Sequence, residues 1–191
     1  NRLQTLGVDT LSGAAFGTKG FNPATRQSFL VTDELVDVVS LEDVTSNWAE
    51  NRPAFKLKSA LIERVAEMTR VMHQDGINHR DLYICHFLLD QAYLDNVDKP
   101  PPMRLSLIDL HRAQMRDTVP TRWLVKDIGS LYFSVLDIGF RRNDVYRFLR
   151  MYYQLPLREI LARHKTFLSA VERRAVSLYQ RDFKRKPQLP C

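Results

Sequence analysis

Between Lys56 and Asp75 the apolar positions Leu57, Leu61, Val65, Met68 and Met72 step by four, four, three and four. That spacing predicts one amphipathic helix with a single apolar stripe. Arg52-Pro53 stands before it and Gly76 after it, where a start and a stop belong. Upstream, Ser28 to Leu35 reads as a buried strand running into a polar connector. Downstream, Phe87 to Leu89 is a short apolar run, and Arg104 to Leu110 alternates as a strand does. A turn-rich insert lies between these two, ending in Lys99-Pro100-Pro101-Pro102. Beyond Pro120 the spacing is helical: Thr121–Phe133, Asn143–Gln154 and Leu157–Tyr179, with Pro156 dividing the last two. The end of a small sheet in front and helices behind make an α+β chain.

The first 42 residues carry Gly7, Gly13, Gly17 and Gly20 at separations of six, four and three. These do not form a G-x-G-x-x-G phosphate loop and read as ordinary turns. Hydrophobic residues make up 45% of the 191 and aromatics 10%, which supports a packed core and excludes a disordered or collagen-like chain. The length fits one generous domain, or one domain with a partial second attached. Cys85 and Cys191 are too few and too far apart for a disulfide framework, so a reducing, cytoplasmic setting is expected. No apolar run approaches the roughly 18 residues needed to cross a bilayer. The longest candidate, Ile128 to Phe140, is interrupted by Asp137. No basic-then-apolar signal segment opens the chain.

The net charge of +6 bears on partners, not on fold. Basic residues thicken toward the end, at Arg141, Arg142, Arg147, Arg150, Arg173, Arg174, Arg181, Lys184, Arg185 and Lys186. Such clusters attract phosphate-rich surfaces, and a solvated helix face accounts for them equally well. They are not interleaved with aromatics in a groove-like pattern, which argues against nucleic acid as the partner.

Two clusters can carry chemistry. One is His79-Arg80-Asp81 with His86 five residues after the aspartate; the other is Asp109 at a strand end, followed by His111 and Arg112. A buried strand that delivers a carboxylate to its end is placing charge at a site, because an unpartnered charge there is costly. Phosphoryl transfer from a nucleotide needs one carboxylate to take the acceptor's proton and a second to hold magnesium. In protein kinases these arrive in the order helix, H-R-D-x-x-x-x-N loop, hairpin, strand-end D-F-G. The same order runs here through helix 56–75, His79-Arg80-Asp81, the apolar run 87–89 and Asp109. Two other readings remain open at this point. His79 and Arg80 suit structural roles in the loop, with Asp81 and Arg80 as an ion pair. Alternatively, His79, Asp81, His86 and Asp109 supply ligand types for a hydrolytic transition-metal site, although no tight pair such as H-E-x-x-H is present.

Longer strings name a family. Gly-Ile-Asn-His-Arg-Asp-Leu-Tyr-Ile-Cys-His-Phe-Leu-Leu at 76–89 and Leu-Ile-Asp-Leu-His-Arg-Ala-Gln at 107–114 closely resemble the lipopolysaccharide core heptose(I) kinases. Leu-Gly-Val-Asp-Thr at 6–10, Asn-Pro-Ala-Thr-Arg at 22–26, Ser-Leu-Glu-Asp at 40–43 and Lys-Asp-Ile-Gly-Ser-Leu-Tyr-Phe-Ser at 126–134 extend the likeness along most of the chain. The resemblance implies a protein-kinase-like fold that moves the ATP γ-phosphate to the first heptose of the lipopolysaccharide inner core. It places the enzyme on the cytoplasmic side of a Gram-negative inner membrane, peripheral to it. Kinases of 3-deoxy-manno-octulosonate share these motifs more loosely, and a kinase-fold binding module is the reading outside enzymes.

By position, the resemblance makes Asp81 the catalytic base and Asp109 the magnesium ligand. His86 stands where protein kinases have a metal-binding asparagine, and Asp127 where a helix aspartate braces the catalytic loop. Glu34 and Leu35 fall at the hinge that holds adenine. His79 and Arg80 support the loop, and Arg112, Arg116 and Arg122 follow Asp109 where an acceptor binds. Magnesium prefers oxygen while imidazole suits softer ions, so His86 is expected to bond Asp81 or a metal-bound water, or else manganese is tolerated. The family's phosphate-covering strands, ATP-binding lysine and paired glutamate have no counterpart in these residues. Residues 1–35 are therefore expected to be the remnant of an N-terminal lobe and 36–191 the helical C-terminal lobe. Without the rest of the first lobe, the chain alone is expected to be inactive. The expected partners are the lipopolysaccharide core precursor, an anionic membrane surface and an acidic protein covering apolar surface left open.

Overall fold

The computed structural model describes residues 2–22, 24–96 and 99–190. A one-turn helix α1 (Arg2–Thr5) leads into β1 (Asp9–Thr10), and β2 (Gly13–Lys19) and β3 (Gln27–Thr32) form an antiparallel hairpin. β4 (Val38–Ser40) runs into α2 (Leu41–Thr45), which begins where the Ser40 hydroxyl accepts the Asp43 amide. The long helix α3 (Phe55–Gln74) precedes β5 (Ile77–Asn78), β6 (Phe87–Asp90), α4 (Gln91–Asp95), β7 (Leu105–Leu107) and β8 (Gln114–Met115). Four helices close the chain: α5 (Thr121–Phe133), α6 (Arg142–Tyr153), α7 (Leu157–Arg163) and α8 (Lys165–Phe183). None of the described helices is long and apolar enough to cross a membrane.

The stripe on α3 does what its spacing predicts: Leu61, Val65, Met68 and Met72 are buried in the main core. With them pack Leu82, Ile84, Phe87 and Leu89 from the segment after α3, and Leu105 and Leu107 from β7. A four-stranded sheet in the order β1-β7-β6-β4 backs this core, with β6 and β7 antiparallel at Phe87↔Leu107 and Leu89↔Leu105. A second, two-stranded ladder joins β5 to β8 through Ile77↔Met115 and Asn78↔Gln114. These two pairings fix the position of the loop after β5 relative to the end of β7.

Several expectations change. The predicted buried strand 28–35 is the exposed strand β3, with Phe29, Leu30 and Val31 open to solvent, because among the described residues nothing packs over the hairpin. Ahead of the hairpin, Leu3 and Val8 are buried in the main core and β1 pairs with β7. The strand expected over 104–110 stops at Leu107, because Asp109 takes a left-handed conformation (φ 62°) and a three-ten turn follows at Leu110–Arg112. The insert after β6 holds α4, capped by the Asp90 side chain, while residues 97 and 98 lie outside the described set. The single helix expected over 157–179 breaks at His164, whose ring stacks on Tyr153 at 4.1 Å. That break lets α8 return along α5, where Gly129 lies against the Arg174 side chain.

Gly76 ends α3 with φ 78° and exchanges main-chain contact with Arg116, whose amide donates to its carbonyl at 3.0 Å. A Cβ there would lie 1.7 Å from the Arg116 carbonyl oxygen. Gly76→Ala therefore has to part β5 from β8 as well as strain the backbone. The expected cost is about 2–4 kcal/mol, seen as a thermal midpoint lower by roughly 5–15 °C. An unchanged midpoint would show that this close approach is dispensable.

Candidate active site

β5 carries the chain into a loop whose first two amides are captured from α5. Asp127, fully buried, accepts the His79 amide on one carboxyl oxygen and the Arg80 amide on the other, each at 2.7 Å. Arg80 takes a left-handed conformation (φ 77°), which turns the strand outward so that Asp81 follows at the rim of the site. His73, from the end of α3, reaches the same carboxyl with Nε2 at 3.3 Å, and its Nδ1 meets the Tyr152 hydroxyl at 2.8 Å. The turn is thus held by side chains from three helices and not by its own sequence alone.

The His79 ring is buried and donates from Nε2 to the Ile108 carbonyl at 2.9 Å. Burial pushes its pKa below the usual value, so the imidazole is neutral. It stacks on His86 with centroids 5.7 Å apart. His86 in turn donates from Nδ1 to the main-chain carbonyl of Asp81 at 2.8 Å, because a carbonyl can only accept. Its Nε2 lies 3.4 Å from Oδ2 of Asp109, while the other Asp109 oxygen faces Nδ1 of His111. One imidazole therefore lies against both the Asp81 main-chain carbonyl and the Asp109 carboxyl group.

Asp81 itself is flanked by cations. Arg112 Nη1 lies 2.8 Å from one of its oxygens, and Lys126 Nζ lies 3.5 Å from the other. Trp123 on the first turn of α5 forms a platform beneath them, with Arg80 at 4.8 Å, Arg122 at 5.3 Å and Lys126 at 5.8 Å from the ring centre. Arg116 is engaged elsewhere, bonded to Asn78 Oδ1 at 2.8 Å and to Gln114. Glu34, exposed, and Leu35, half-buried, form the irregular connector between β3 and β4. Neither belongs to the cluster around Asp81.

In a hydrolytic metal centre built on His79, Asp81, His86 and Asp109, His79 would have to serve through Nδ1, because its Nε2 is spent on the Ile108 carbonyl. Among the described residues no three acidic, histidine or cysteine groups converge as a metal-binding set. Phosphoryl transfer asks for less, because magnesium takes one or two carboxylates and completes its shell with phosphate oxygens and water. Asp109, partly exposed at its strand end, offers such an oxygen ligand.

Four residues of this network escape sequence reasoning. His73 and Tyr152 sit within helical patterns and look like part of the packing, and Trp123 looks like another helix aromatic. Lys126 had one available signal: it directly precedes Asp127 in the string 126–134. An apolar cavity of about 260 Å³ lies in the helical core, lined by residues such as Leu61, Val65, Leu131, Phe148 and Leu149. None of the residues around Asp81 and Asp109 lines it.

The lipopolysaccharide kinase (Kdo/WaaP) family model matches residues 1–152. The chain belongs to that family. It is 47% identical over 185 residues to the lipopolysaccharide core heptose(I) kinase WaaP of Escherichia coli, covering 97% of this chain and 69% of that protein. It is 50% identical over 183 residues to the enzyme of the same description from Pseudomonas aeruginosa, covering 94% of this chain and 66% of that protein. The chain thus spans about two-thirds of the length of these family members. A solved structure described as WaaP in complex with acyl carrier protein superposes with a TM-score of 0.83 at 50% identity, over 93% of this chain and 73% of that one. The protein-kinase-like α+β fold implied by the motifs is therefore the fold of this family member.

Proposed function

We propose that the chain carries the catalytic lobe of an ATP-dependent kinase that phosphorylates the first heptose of the lipopolysaccharide inner core. The observation that carries this reading is the approach of Asp81 and Asp109 to a single imidazole, His86, in a chain about half identical to heptose(I) kinases. Asp81 takes the proton of the acceptor hydroxyl as its oxygen bonds to the γ-phosphorus. The bond from that phosphorus to the bridging oxygen breaks, and ADP leaves with the electron pair. Asp109 would hold magnesium, which would supply positive charge to offset the triphosphate. His86 holds the Asp81 main chain through its Nδ1–H and stands beside the Asp109 carboxyl group as a positioning residue, since imidazole is a poor partner for magnesium. Asp127, His79 and Arg80 fix the loop.

The segment 34–35 follows the hairpin and precedes β4, where its main chain meets adenine. The hairpin β2–β3, with its open apolar side chains, belongs to the nucleotide-covering lobe. Arg112 and Arg122 stand beside Asp81 and the Trp123 platform, and they meet the acidic groups of the acceptor. Arg116, committed to Asn78 and Gln114, supports β8 instead.

Arg142, Arg150, Arg173, Arg181, Lys184, Arg185 and Lys186 are all exposed, and they supply charge for contact with an anionic membrane surface on the cytoplasmic side of the inner membrane. Each such charge contributes roughly 1 kcal/mol near anionic lipid. The same exposed cations suit an acidic protein. The solved relative was captured with an acyl carrier protein, and the apolar cavity in the helical core fits hydrocarbon better than sugar or nucleotide. The test of the reaction is transfer of labelled phosphate from ATP by the full-length protein. Label should enter dephosphorylated core oligosaccharide, in the heptose. Label entering only 3-deoxy-manno-octulosonate–lipid A would make the protein a kinase of that sugar, and no label in either would leave a binding module.

A further inference from the structure

Lys126 has no role in the reading above, yet it stands at the centre of the site. Its ammonium lies 3.5 Å from Oδ1 of Asp81, longer than a strong charge-assisted hydrogen bond. Its other recorded contact is the face of Trp123. An ammonium has three donors, so most of its hydrogen-bonding capacity is unspent. A structural tie between α5 and the loop does not explain it. Asp127, the next residue, already makes that tie with two 2.7 Å bonds to buried main chain.

The local charge balance points outward. Arg112 and Lys126 share the one carboxyl group of Asp81, and Arg80 and Arg122 crowd the same Trp123 ring. Burial pushes the Lys126 pKa below its usual value against the pull of Asp81, with Arg112 and Arg80 adding to the burial effect. A partly buried cation in a cationic neighbourhood is stabilised by an incoming anion. The transferring group brings three anionic oxygens to the side of Asp81, where the base's own negative charge would repel it.

We propose that Lys126 is a catalytic residue: its ammonium contacts the phosphoryl group in transit and screens it from the Asp81 carboxylate. The proposal rests on the kinase reading but not on the identity of the acceptor. Lys126 stands on a helix, braced by its neighbour's buried bonds, so it is in place before the nucleotide arrives. Arg112, 45% exposed on the turn after Asp109, is freer to leave Asp81 for the acceptor.

The full-length protein and its Lys126→Met and Lys126→Arg variants separate this role from a structural one. Two measurements are needed: steady-state transfer, and calorimetric binding of MgADP with and without aluminium fluoride, which mimics the phosphoryl group in flight. Lys126→Met should lower kcat about 100-fold, as removal of one transition-state donor does, with both KM values within about twofold. It should lose affinity for the MgADP–aluminium fluoride complex by a similar factor while binding MgADP normally. Lys126→Arg should recover a large part of both. Equal loss of MgADP and mimic binding, or no loss of either, would overturn the assignment, as would an unfolded Lys126→Arg variant. Because the binding comparison needs no sugar, it reads Lys126 even if heptose proves not to be the acceptor.

Discussion

Asp81→Asn is expected to leave a folded protein whose turnover has fallen roughly 10³-fold, the scale of a lost general base. The substitution keeps the shape of the side chain and removes its ability to accept the acceptor's proton. Its structural cost is small. The bonds that fix this turn run from the His79 and Arg80 amides to Asp127, and His86 holds the Asp81 main-chain carbonyl, not its carboxyl group. Of the two cations beside the carboxyl group, Arg112 is half exposed and can turn to water, and Lys126 stands at 3.5 Å, so stability should change by no more than about 1 kcal/mol. Steady-state kinetics of the full-length protein, paired with a thermal melt, separate the two effects. Turnover retained by Asp81→Asn would remove the base from the mechanism. A melt lowered along with activity would make Asp81 a structural residue.

Asp127→Ala should have the opposite signature, with stability falling first and activity with it. Its carboxyl group is completely buried and satisfies two main-chain donors and the His73 ring. Removing it orphans all three inside the protein, a loss of about 3–5 kcal/mol. For a chain of this size that lowers the thermal midpoint by about 10 °C or more. Asp127→Asn keeps one acceptor oxygen and should fall between Ala and the unmodified chain. A melt of Asp127→Ala within about 2 °C of the unmodified chain would show that the loop holds its shape without the α5 anchor.

The order of elements was legible because each long helix carried its own period. Leu61, Val65, Met68 and Met72 announce α3, and the bounds of α5 follow from Pro120 and the spacing after it. The short elements were not legible. α1, α2 and α4 have four or five residues each, too few to show a helical period. The exposure of the strand within 28–35 is not written in its apolar run, because such a run records what a segment can pack against, not whether anything covers it. His164 gave no warning of the break before α8, since neither glycine nor proline marks it.

At the proposed site, Asp81 and Asp109 stand out in the sequence because their type and order resemble those of a known chemistry. The groups around them do not. His73 and Tyr152 lie within helical patterns, and only the fold aims His73 at Asp127 and Tyr152 at His73. Arg112 and Arg116 are close in sequence and of one type, yet one pairs with Asp81 and the other with Asn78. Spacing along a turn cannot separate those two directions, because the three-ten turn at Leu110–Arg112 and the pairing of β8 with β5 set them.

The account depends on Asp81 and Asp109 serving one metal–nucleotide pocket. The most direct measurement is a crystal structure of the full-length protein with manganese and a non-hydrolysable ATP analogue, the ion located by its anomalous scattering. The ion should be bonded to Asp109, with the Asp81 carboxyl group facing the terminal phosphate. An ion held elsewhere, or a nucleotide whose terminal phosphate lies away from Asp81, would contradict it.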